Sequence, residues 1–164
     1  MTAPFDPLRL LSLLHDADVK FVLIGGVAAR LHGSPTVTRD VDICHDRAPA
    51  NLELLAAVLV RLGARLRGVD DDVPFRLDAT TLAAGGNFTF VTDAGDLDLM
   101  AFPAGMDGYA ELAEHADAID LDGRVVDVAS LGDLITMKRA AGRPKDRIEV
   151  EVLTALQAEL EGRE

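Results

Sequence analysis

Apolar residues recur along this chain in two rhythms, one of three to four residues and one of two. Leu8, Leu11 and Leu14 share a helical face, with Leu10 and Leu13 close beside it, which predicts an amphipathic helix from Pro7 to Asp16. Asp6 is placed to cap that helix, and Pro7 suits its first position. The compact run Phe21 to Ile24 predicts a buried strand. Gly25-Gly26 breaks it, and Val27 to Leu31 reads as a short helix, followed by a Gly33-Ser34-Pro35 loop. From Val41 to Cys44 the rhythm shortens to two. A strand there puts Asp40 and Asp42 on one face and Val41 and Ile43 on the other. Leu54, Leu55, Val58, Leu59 and Leu62 predict one core-facing stripe on a helix from Asn51 to Leu62, ended by Gly63.

The second half alternates hairpins with helices. Asn87 to Val91 and Leu97 to Phe102 predict a hairpin around Asp93-Ala94-Gly95. A helix is expected from Asp107 to Ala116. A second hairpin joins Ala118 to Leu121 with Arg124 to Val128 through the two-residue turn Asp122-Gly123. Ser130 caps a helix running to about Ala141, Gly142-Arg143-Pro144 interrupts, and Lys145 to Glu161 forms the last helix. This order predicts the α+β class: a mixed sheet with helices packed on it and a C-terminal helical pair. One domain is expected over residues 1–164, with a core at about 17–128 and the terminal helices at about 130–161.

Composition narrows the field. The chain has 164 residues, of which 49% are hydrophobic, enough for a globular core without a disulfide or metal staple. Cys44 is the single cysteine, and a small buried or half-buried thiol is expected there. The net charge is −12, which excludes a broad basic face for nucleic acid but not a local anion site or a cation site. Aromatic residues are 4%, too few for an array that stacks single-stranded bases. No segment approaches the ~18 apolar residues of a membrane span, and the N-terminus does not read as a signal peptide. A cytoplasmic protein with no membrane partner is the expectation. The four histidines show no metal-ligand spacing, and His32 is expected to be structural.

Three features carry candidate chemistry. Gly25-Gly26 is either a tight strand-to-helix turn or bare backbone that a phosphate can approach. Asp40-Val41-Asp42 sets two carboxylates on one strand face, where hard cations such as Mg²⁺ find oxygen ligands. In Asp96-Leu97-Asp98-Leu99 the leucines face the core and leave Asp98 on the opposite face, while Asp96, beside Gly95, reads as a turn residue. Asp120-Leu121-Asp122 and the run Asp70 to Asp72 read as solvated turn and loop positions. Residues 138–147 gather five of the chain's 16 basic residues against one acid, Asp146. That segment is either a basic helix end complementing the macrodipole or a triphosphate-binding patch.

Taken together, FVLIGGVAARLHGSPTVTRDVDIC and GDLDLM resemble the nucleotidyltransferase superfamily that includes DNA polymerase β. Thirteen residues separate Gly26 from Asp40, which suits that family's helix and loop. LITMKRAAGRPKDRIEVEVLTAL resembles the last motifs of a bacterial subgroup, the AbiEii-like toxins and related minimal nucleotidyltransferases, at Lys138, Arg143, Lys145 and Asp146. The resemblance implies Mg²⁺, or Mn²⁺ in its place, held by Asp40, Asp42 and Asp98, with Asp98 also drawing the proton from an acceptor hydroxyl. It implies a nucleoside triphosphate bound by Gly25, Gly26, Arg39, Lys138, Arg143 and Lys145. Asp146 either takes a direct part or fixes Arg143 and the last helix.

Two positions depart from the resembled pattern: Thr36 stands where relatives commonly carry Arg, and Glu149 where they often carry Asp. The activity implied is transfer of a nucleoside monophosphate to an acceptor that the sequence leaves open between a protein, an RNA end and a small molecule. A cognate toxin or antitoxin partner is part of that expectation. The alternatives are a catalytically silent nucleotide-binding module and a partner-binding domain with no ligand.

Overall fold

The computed structural model describes residues 3–163. Seven strands form one mixed sheet in the order β3-β4-β5-β2-β1-β7-β6. In chain order the elements are α1 (Pro7–Asp16), β1 (Phe21–Ile24), α2 (Gly25–Leu31), β2 (Asp40–His45), α3 (Pro49–Arg61), β3 (Arg65–Leu66), α4 (Ala79–Ala84), β4 (Asn87–Thr92) and β5 (Gly95–Met100). The chain continues with α5 (Tyr109–His115), β6 (Asp117–Leu121), β7 (Arg124–Val128), α6 (Leu131–Ala141) and α7 (Pro144–Glu161). The expected mixed sheet and C-terminal helical pair are therefore present.

Two pairings at the centre decide where the chemistry sits. β1 runs antiparallel to β2, and β2 runs parallel to β5 with Asp40 beside Asp96 and Asp42 beside Asp98. Val41, Ile43, Leu97 and Leu99 point to the opposite face and are fully buried. Their burial, with Leu10, Leu14, Leu55 and Leu59 from α1 and α3, fixes the register, since a one-residue slip would turn the carboxylates into the core.

Local chemistry sets the element ends. Asp6 accepts a hydrogen bond from the Arg9 N–H and caps α1. Asp122 and Gly123 both adopt positive φ, the conformation a two-residue hairpin turn requires. Ser130 caps α6 through the Asp133 N–H, and Gly142 ends it in the left-handed region at φ 65°.

Several sequence expectations change. Leu54 is 41% exposed rather than part of the core stripe of α3. The buried face of α3 is turned toward Asn51, Leu52, Leu55, Val58 and Leu59 instead. Asn51 earns its interior position by bonding the Lys20 N–H, the Lys20 carbonyl and the Asp46 carbonyl. Helix α2 begins at Gly25, not at Val27. The first hairpin turns on Asp93 and Ala94, because Thr92 already pairs with Gly95. Asp96 therefore lies within β5 and is not a turn residue. The short elements β3 and α4 carry too little periodicity to be read from sequence.

Cys44 is fully buried, and burial pushes its thiol up to about 12, so it is no nucleophile. His32 is structural as expected, its Nε2 bonded to the Ala129 carbonyl at 2.8 Å. Among the described residues no helix is long and apolar enough to cross a membrane.

Candidate active site

A cleft of about 470 Å³ opens between the carboxylate face of the central strands and the α6–α7 pair. Asp40, Asp42 and Asp98 form its floor, and their ligand atoms all lie within 4.8 Å of one another. Each arrives by strand alternation: Asp40 and Asp42 from β2, Asp98 from the parallel neighbour β5. Thr38 fixes the first of them by donating its hydroxyl to Asp40 Oδ1 at 3.0 Å.

This floor is electrostatically unfavourable by itself. Burial, then the charges of Asp40 and Asp98, push the Asp42 carboxyl up to about 8. Burial also raises Asp98, against the opposing pull of Arg67. Three carboxylate donors packed this closely are suited to a hard divalent cation, which would remove the repulsion that burial magnifies.

Gly25 and Gly26 form the near wall. Gly25 has φ +69°, and a Cβ built on it would collide with the Asp42 carboxylate. A Cβ on Gly26 would stand 2.7 Å from the Thr38 Cβ. The glycine pair is thus required by the close passage of α2 over Asp42 of β2 and over Thr38 in the loop before it.

The far wall is basic. Lys138, Arg143 and Lys145 all line the cleft. Asp146 is fully buried and organises this wall. Its Oδ2 accepts from the Arg143 backbone N–H at 3.1 Å and from Arg143 Nε at 2.6 Å. Its Oδ1 accepts from Arg143 Nη2 at 3.2 Å and lies 3.5 Å from Lys138 Nζ. The Arg143 guanidinium holds the Asp146 carboxyl down at about 2. Asp146 therefore fixes Arg143 and caps α7, one of the two roles open from sequence. Arg39 is exposed and does not line the cleft.

Two contacts escaped the sequence reading. Thr36 and Glu149, the two departures from the resembled pattern, meet in the cleft, with Thr36 Oγ1 donating to Glu149 Oε2 at 3.4 Å. Arg67 donates to Asp98 Oδ1 at 2.7 Å and to the Phe90 carbonyl at 3.0 Å. Its Nε stands 3.3 Å from Asp96 Oδ2 without hydrogen-bond geometry. No local motif marks Arg67, which lies in an irregular segment just after β3.

No known family profile matches the chain, and no curated protein matches it. Solved structures do match in fold. A candidate nucleotidyltransferase from Thermotoga maritima superposes with a TM-score of 0.57 at 16% identity, over 98% of this chain and 97% of that one. LnuA, a lincosamide antibiotic adenylyltransferase solved with lincomycin bound, gives 0.62 at 15% identity, over 92% and 95%. ANT(2")-Ia in complex with adenylyl-2"-tobramycin gives 0.54 at 19% identity, over 94% of each chain. The chain has the fold of these nucleotidyltransferases.

Proposed function

We propose that this chain is a divalent-cation-dependent nucleotidyltransferase that transfers a nucleoside monophosphate from a nucleoside triphosphate to a hydroxyl group. The observation that carries this reading is the carboxylate cluster of Asp40, Asp42 and Asp98 facing a basic wall across one cleft. Asp40, Asp42 and Asp98 would hold Mg²⁺ or Mn²⁺ through hard oxygen donors. Cations held there would supply Lewis-acid stabilisation of the charge that develops on the reacting phosphate.

The chain's own residues divide the remaining work. Gly25 and Gly26 line the cleft where α2 begins, and phosphate oxygens would meet their backbone there. Lys138, Arg143 and Lys145 stabilise charge on the departing pyrophosphate. Arg143 enters that role already oriented by Asp146. Asp98 accepts the proton of the acceptor hydroxyl. Arg39, next to Asp40 but outside the cleft, has no part in this reading.

A small hydroxylated molecule is the acceptor we favour. Two of the structures sharing the fold are antibiotic adenylyltransferases, and a net charge of −12 opposes an RNA acceptor. The Lys138 to Asp146 pattern supports a second reading, an AbiEii-like protein with a protein or tRNA acceptor and a cognate partner. Incubation of the chain with Mg²⁺ and each labelled nucleoside triphosphate, against hydroxylated antibiotics and against cell lysate, separates the two. Labelling of a small molecule that Asp42→Asn abolishes supports the first. Labelling of a macromolecule alone supports the second. Triphosphate binding with no labelled product from any acceptor sinks the enzyme reading in favour of a silent module.

A further inference from the structure

Asp98 is flanked on both sides. On one side lies Asp42, its partner in the parallel β2–β5 register. On the other lies β4, whose Thr89 pairs with Asp98 and whose Phe90 carbonyl accepts from Arg67. The Arg67 backbone N–H is pinned to the Thr89 carbonyl at 2.9 Å, so its side chain reaches Asp98 from the β4 side, opposite Asp42. The same carboxylate that completes the triad thus accepts a charge-assisted bond of 2.7 Å from an arginine.

We propose that Arg67 is an internal counter-cation that occupies Asp98 until a divalent cation displaces it, so that Arg67 sets how tightly the triad holds its cations. This inference rests on the reading of Asp40, Asp42 and Asp98 as a cation site. The competition is for one set of lone pairs, and the two cations also repel one another at this range. Displacement has a built-in destination. Asp96 lies two residues before Asp98 on the same face of β5, and the Arg67 Nε is already 3.3 Å from it. A guanidinium with five donors can keep the Phe90 carbonyl while turning from Asp98 to Asp96. Arg67 is 31% exposed, so water can follow it as it turns.

The test is a Mn²⁺ titration of the full chain without nucleotide, read by calorimetry and by the electron paramagnetic resonance of free Mn²⁺. Arg67→Gln is expected to bind Mn²⁺ at least about tenfold more tightly than wild type. Arg67→Lys, which keeps the charge, is expected to stay within about threefold. A melting curve for each variant controls for loss of the bond from Arg67 to the Phe90 carbonyl. A purely structural Arg67 would lower the melting temperature of Arg67→Gln and leave the Mn²⁺ constant unmoved, which overturns the proposal. Should that variant fail to fold, Arg67→Met, which keeps the aliphatic stem, is read in the same way. Equal affinity in folded wild type and variant overturns this inference alone and leaves nucleotidyl transfer standing. No Mn²⁺ binding by either, even with ATP added, overturns both.

Discussion

Asp42 and Asp146 are the same side chain in opposite circumstances, one in the floor and one in the basic wall of one cleft. Asp42 lies among Asp40 and Asp98, and burial together with their charge pushes it up to about 8. Asp146 is fully buried yet accepts bonds from the Arg143 backbone and guanidinium, and is held down at about 2. Burial alone therefore does not decide the state of a carboxylate; the donors placed around it do. The basic wall carries its own counter-charge and is organised before any ligand arrives. The acidic floor is held together by strand packing against its electrostatics. The basic wall satisfies its buried carboxylate internally, and the acidic floor leaves its carboxylates repelling one another.

Substitution at the floor should break this contrast most sharply. Asp42→Asn is expected to lower nucleotidyl transfer by about 10³-fold or more, measured as labelled product per unit time. The same variant should be more stable than the metal-free wild type at pH 8 by about 1–3 kcal/mol, measured by denaturant unfolding, because a repelled charge is removed. Loss of stability together with activity would mean that Asp42 is a structural residue. On the basic wall the sign reverses. Asp146→Ala is expected to destabilise by about 2–3 kcal/mol in the same measurement, through the lost cap and the lost charge-assisted bonds.

The pH dependence sharpens the comparison, since the two carboxylates act in different windows. Asp42 has a folded pKa above its ordinary 3.8, so the folded state holds the extra proton and stability falls as pH rises from about 4 through about 8. Asp146 has a folded pKa below 3.8, so its contribution is present above that value and is lost as pH falls through about 2. The difference in melting temperature between wild type and Asp42→Asn should therefore widen from pH 5 to pH 8 and close when Mg²⁺ is added. A difference that stays flat with pH would show that Asp42 is not strained. The smallest effect concerns a third buried group. His45 is fully buried, neither ring nitrogen has a partner among the described residues, and burial lowers it to about 4. His45→Leu is expected to gain about 1 kcal/mol at neutral pH, read from the unfolding midpoint.

Much of the architecture was legible because its signals are local. The α1 cap at Asp6, the Asp122-Gly123 turn and the Ser130 cap each depend on residues within one turn of each other. Alternation likewise put Asp40, Asp42 and Asp98 on the non-core faces of their strands. Where local signals are thin, long-range packing decides. Leu54 sits beside the buried line of α3 but falls on its exposed flank, because the packing partners of α3 set its rotation. Asp96 looked like a turn residue next to Gly95, yet pairing of Thr92 with Gly95 carries β5 through it. Thr36 and Glu149 were visible separately as departures, and only folding makes them neighbours.

The sequence by itself determined which carboxylates leave the core, because a strand has a side-chain period of two set by backbone geometry alone. It also determined that basic residues gather between the last two helices. The tertiary structure decided that Asp42 lies beside Asp98, that Asp146 sits inside the basic wall, and that Arg67 grips Asp98. Those outcomes depend on strand register and on the path of an irregular segment. Both are set by contacts between residues far apart in the chain, which leave no local periodicity to read.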